Sequence, residues 1–130
     1  MAHDLGLAAP GSIANSLLAI VPLVVWVTVA VVWSNRPLVS LLVTGGLYGV
    51  ALAVVHNLSW GVVFADSAPK LGGNLAGTFS PAVEELLMRG AIVVSGLATG
   101  VVTGIVCGLI AWGVQALART AGARLPLIPR

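Results

Sequence analysis

The sequence predicts an all-α integral membrane protein of three transmembrane helices, and three observations carry that prediction. Only 8% of the 130 residues are charged and 58% are hydrophobic, where water-soluble domains carry about 25% charged residues. The mean hydropathy is +1.08. The chain also holds three long uncharged runs, of 31 residues from Leu5 to Asn35 and of 29 each from Pro37 to Ala65 and from Gly90 to Ala118. About 20 apolar residues cross ~30 Å of hydrocarbon as a helix, so each run suffices for one crossing and none for two.

The first span is placed at 13–33. Its apolar stretch exceeds the core of a signal peptide, and no basic residue precedes it, the only earlier charge being Asp4. It is therefore expected to stay in the mature protein. Asn15, Ser16 and Pro22 interrupt it, with the proline a candidate kink. The second span is placed at 38–58 and the third at 91–117, all within a single transmembrane domain covering 1–130.

Between the last two spans, residues 66–89 form the one substantial polar segment, expected to lie outside the hydrocarbon. It opens loosely with Ser67, Pro69, Gly72, Gly73 and Gly77. Ser80-Pro81 then reads as a helix start, with serine as N-cap and proline in the first turn. Glu84 and Glu85 follow where carboxylates suit the positive end of the helix dipole. This predicts a short amphipathic helix running toward the third span, continuous with it or broken near Gly90. The uncharged stretch 71–83 is too short to cross and suits an interfacial or re-entrant piece.

Orientation follows from the basic residues. The tail carries Arg119, Arg124 and Arg130 and the first connection Arg36, against Lys70 and Arg89 on the other side. The tail and first connection are thus expected in the cytoplasm, and the N-terminus and long connection outside. Trp33 and Trp112 then fall at the inner interface and Trp60 at the outer one. A short chain rich in Ala, Val, Gly and Leu points to a high-GC bacterial genome, hence to a bacterial inner membrane.

The third span contains Gly96, Gly100, Gly104 and Gly108, four residues apart throughout, flanked by Ser95, Thr99 and Thr103. Residues four apart share one helix face, so this row is a groove without side chains. Close backbone approach through small residues supplies much of the packing between helices in lipid, and the second span offers a shorter counterpart in Gly45, Gly49 and Ala53. Two readings follow: the rows pack on each other within the monomer, or the ladder faces another subunit.

Chemistry-bearing residues are few. The string Ser80-Pro81-Ala82-Val83-Glu84-Glu85-Leu86-Leu87-Met88-Arg89-Gly90 resembles the EExxxR first motif of the CPBP family of intramembrane proteases. That resemblance implies a water-activating role for Glu84, with Glu85 as its acid–base partner and Arg89 as the partner charge. The family completes its site with histidines on later helices, whereas no histidine follows Arg89 in this chain. The residues alone equally describe a juxtamembrane turn with a Glu85–Arg89 helical pair.

His56, beside Asn57, is an ionisable residue near the outer end of the second span and a functional candidate by position. Haem ligation or proton relay are its natural roles, and a local interfacial hydrogen bond is the alternative. His3, Asp4, His56, Asp66, Glu84 and Glu85 share the outer side, and such nitrogen and carboxylate donors suit Zn or Cu. No spacing resembles a metal motif, so no metal and no cofactor is expected. Cys107, the only cysteine, reads as a small apolar packing residue. With no basic stripe and no interleaved aromatics, nucleic acid is not an expected partner.

No span carries a mid-membrane Asp, Glu, Lys or Arg, which counts against autonomous transport. The expected role is a small non-catalytic accessory subunit of a larger membrane complex, respiratory, oxidoreductase or transport. Its expected partners are the lipid bilayer and other membrane subunits, a hetero-oligomer favoured over a homo-oligomer. The alternative is a homo-oligomeric channel or small transporter, its pore drawn from Asn15, Ser16, Thr28, Thr44, Thr99 and Thr103. The protease-like reading stands third.

Overall fold

The computed structural model of the protein describes residues 12–65 and 68–127, and the elements in them are helical. Helix α1 spans Ile13–Trp33, α2 Pro37–Leu58, α3 the four residues Trp60–Val63, and α4 Pro81–Thr120, with a single 3-10 turn at Gly73–Leu75 before it. Three of these, α1, α2 and α4, are long and apolar enough to cross a membrane.

Local chemistry sets most boundaries. Ser12 caps α1, its hydroxyl accepting the Asn15 N–H at 3.2 Å. Pro37 opens α2 at a position whose N–H has no helical acceptor in any residue. The intervening Ser34-Asn35-Arg36 link has the length of an αα-hairpin connection. It is pinned by Ser34 Oγ, which accepts the Arg36 N–H at 3.1 Å and pairs with Ser40 Oγ at 2.7 Å. At the far end, Gly122 adopts φ 79°, and the Ala123 and Gly122 amides donate to the carbonyls of Ala118 (2.9 Å) and Arg119 (3.1 Å). This is a Schellman stop, which needs a residue at positive φ that glycine supplies without strain.

The third span takes the continuous of its two expected forms. Residues 81–89 do not form a separate short helix: they are the first turns of α4, a continuous helix of 40 residues. At 1.5 Å per residue it is roughly 60 Å long, about twice the hydrocarbon thickness. Gly90 does not break it because breaking needs a proline or a capping group, and the sequence there offers neither. The Glu85–Arg89 pair, with Nε–Oε1 at 2.8 Å, reinforces the turn leading into the junction.

Helices α2 and α4 run antiparallel and form the main seam. Leu41, Gly45, Gly49 and Ala53 are buried on α2, and Gly100, Gly104, Cys107, Gly108, Ala111 and Gln115 on α4. A Cβ placed on Gly45 would lie 2.6 Å from Gly104 Cα and collide with the Gly100 carbonyl oxygen. One on Gly100 would lie 2.5 Å from both the amide nitrogen and the Cα of Gly49. Further along, a Cβ on Gly96 would stand 3.1 Å from the Ala53 nitrogen, and one on Gly108 3.0 Å from Leu38 Cα. The ladder of α4 therefore faces α2 within the same chain.

Helix α1 is held by its second half only. Ala30 and Val31 are buried against Leu41, Cys107 and Ala111, with Leu23, Trp26, Val27 and the tail residue Leu125 packed at the margin. The Trp26 and Tyr48 rings meet edge to face with centroids 5.5 Å apart. From Ser16 to Pro22 every side chain is exposed.

Candidate functional site

The polar side chains gather at the two ends of the bundle. At the end holding the C-terminus of α2 and the start of α4, Arg89 is the organising residue. Its Nε donates to Glu85 Oε1 at 2.8 Å and its NH1 group to the Asn57 carbonyl at 3.1 Å. That carbonyl belongs to the last turn of α2, where the C-cap Ser59 amide, shared with the Val55 carbonyl, is its backbone partner. The guanidinium also lies 5.0 Å from the Trp60 ring centroid, within cation–π range, and Trp60 in turn packs on Phe64 with centroids 4.7 Å apart.

The neighbouring carboxylates have separate tasks. Glu84 turns away to accept the Leu71 N–H at 2.5 Å, closing the loop over the start of α4, while Glu85 holds Arg89. His56 places Nδ1 2.9 Å from the Leu52 carbonyl on its own helix, and Asn57 Nδ2 likewise donates to the Ala53 carbonyl at 3.0 Å. His56 lines a groove of about 510 Å³ between α2 and α4 that Tyr48, Ser95 and Thr99 also border. Glu84 and Glu85 do not line it.

Among the described residues no group of three His, Cys, Asp or Glu side chains stands close enough to hold a metal ion. His3, Asp4 and Asp66 lie outside the described residues. The threonines proposed for a pore include Thr28 and Thr44, whose hydroxyls donate to the carbonyls of Val24 (2.8 Å) and Ser40 (2.9 Å) one turn back.

At the opposite end stands a residue that the sequence reading passed over. Gln115 is 1% exposed. Its Nε2 donates to the carbonyls of Val31 and Ser34 at 2.9 Å each and of Ala30 at 3.3 Å. The α1 C-terminus is thus served by a side chain more than 80 residues away, alongside the local Ser34 amide, which donates to the Ala30 carbonyl. The returning tail adds the Leu127 amide, which donates to the Val32 carbonyl at 2.8 Å. A signal for Gln115 was present: it follows Gly108 by seven residues, two helical turns along the ladder's own face, as an uncharged polar residue in an apolar run.

A scan against protein-family models finds no match, and neither a search of curated proteins nor one of solved structures finds a similar chain. The likeness to the protease motif stays confined to the string around Glu84 and Glu85. What the fold defines is a class: an all-helical membrane protein built on three span-length helices.

Proposed function

We propose that this chain is a small non-catalytic subunit of a larger assembly in a bacterial inner membrane, seated beside other membrane subunits through the unpacked half of α1. The observation that carries this reading is the state of residues 16–22, all exposed, in a continuous helix that contains Pro22. Proline has no N–H to offer the Leu18 carbonyl one turn back. In hydrocarbon an unsatisfied backbone group costs several kcal/mol, and a neighbouring helix is one source of the missing donor. Asn15 and Ser16, one turn earlier, supply further polar groups suited to a helix–helix contact. The glycine ladder does not serve this contact, because α2 occupies it.

The supporting pattern elsewhere is one of polar groups spent on architecture. Gln115 caps α1, Arg89 caps α2, and Glu84 holds the loop. Purification in mild detergent with mass spectrometry of co-eluting chains is expected to return stoichiometric foreign membrane subunits. A single-component oligomer would favour the channel reading instead, and a lone monomer would sink both.

Orientation is part of the proposal. Arg36, Arg119, Trp33 and Trp112 belong to the end where Gln115 meets Ser34, and Lys70, Arg89, Glu84 and Glu85 to the other. We place the first end in the cytoplasm by the excess of arginine. Reporters fused after Arg130 and within the Arg36 link should report cytoplasmic exposure, and one at Gly73 external exposure. A cytoplasmic signal at Gly73 reverses the assignment.

A further inference from the structure

We infer that the groove between the first turn of α2 and the last turns of α4 binds the phosphodiester headgroup of an anionic membrane phospholipid. The groove measures about 250 Å³ and is bordered by Arg36 and Arg119, with Trp112, Leu38 and Val39 along its sides. Those three apolar side chains are 55%, 37% and 53% exposed, so the cavity opens toward the surface that lipid covers. Acyl chains can lie along this surface while the headgroup sits between the guanidiniums.

Charge selects the occupant. The acidic residues described in the structure, Glu84 and Glu85, both stand in the first turns of α4, at the opposite end of the bundle. No ion pair of Arg36 or Arg119 is found among the described residues, where Arg89 does have one. The first turn of α2 has no side-chain cap, so its leading amides add positive potential on the same side of the groove. Gln115 borders the groove as well, but its amide N–H groups are committed to α1. Paired guanidiniums match a phosphate by bidentate hydrogen bonding. An aromatic ring at their level is the usual anchor at the membrane–water interface. The inference rests on the membrane reading alone and is independent of whether α1 meets another subunit.

The test uses the full chain, stripped of lipid in detergent and then equilibrated with equal amounts of phosphatidylglycerol and phosphatidylcholine. Retained lipid is counted by native mass spectrometry. Wild type should retain phosphatidylglycerol in preference. Each arginine near a membrane surface contributes roughly a five-fold preference for anionic lipid, so R36Q/R119Q should lower it roughly 25-fold. K70Q, at the opposite end, should leave it unchanged. If the double variant does not extract as helical protein, R119Q alone reads the same site, with a loss of roughly five-fold. Phosphatidylglycerol preference undiminished in R36Q/R119Q, or in R119Q where that variant stands in, overturns the site. Displacement of the bound lipid by inorganic phosphate at equal concentration would show a free-anion site and overturn the lipid assignment.

Discussion

Gly100→Ala is expected to part α2 from α4, although it adds one methyl group. The new Cβ would stand 2.5 Å from the Gly49 nitrogen and Cα, with the Gly45 carbonyl oxygen closer still. All three are backbone atoms, so no side-chain rotation relieves the clash. Overpacking in a well-packed core costs roughly 1–3 kcal/mol, and separation of the helices would also lose the close contacts that hold them together in lipid. Gly100→Leu and Gly104→Leu should be worse. The internal control is Gly46→Ala: Gly46 neighbours Gly45 in the sequence, yet a Cβ there meets nothing within 4 Å. On helix propensity alone it should be neutral or stabilising by up to about 1 kcal/mol. Unfolding in mixed micelles of graded SDS content checks both. Equal midpoints for Gly100→Ala and Gly46→Ala would mean that the two glycine rows do not touch.

Gln115→Leu is the second large effect, and it should release α1 while leaving α2 and α4 paired. Leucine keeps much of the volume but removes the donor that serves the carbonyls of Ala30, Val31 and Ser34. Leaving a buried acceptor unpaired costs roughly 1–3 kcal/mol in water-soluble proteins. Interhelical hydrogen bonds in membranes average nearer 0.6 kcal/mol, so a total of about 1–3 kcal/mol is expected for the three contacts. Helix α1 has little else to hold it, since its buried residues are Ala30 and Val31 alone. Disulfide trapping between cysteines placed at Val31 and Ala111, in a Cys107→Ser background, reports the contact. Trapping should be efficient with Gln115 and largely lost with leucine. Retained trapping in the leucine variant would show that apolar packing alone seats α1.

The two variants separate what each level of description could supply. Three uncharged runs and the Ser80-Pro81 helix start are local features. Each acts within a turn or two of itself, so the number of long helices and most of their ends were legible without coordinates. The spacing of Gly96, Gly100, Gly104 and Gly108 likewise made a smooth helix face certain. What that face touches was legible only as two alternatives, the row of Gly45, Gly49 and Ala53 or another subunit, because a groove of glycines accepts any backbone that approaches it. Only the folded chain assigned it to Gly45 and Gly49, and with that assignment the seam became internal.

The same limit governs the polar residues. Glu84, Glu85 and Arg89 form a motif by spacing, but their partners, Leu71, Asn57 and Trp60, come from the loop and from α2. Tertiary placement divides the two glutamates between different tasks. Gln115 shows the limit most plainly, since the carbonyls that it serves lie more than 80 residues earlier in the chain. Composition and periodicity determine that a chain must cross lipid, and how many times, because burying apolar length is a property of each segment alone. Which helix ends are satisfied, and by which side chain, is a property of pairs of segments, and only their packing decides it.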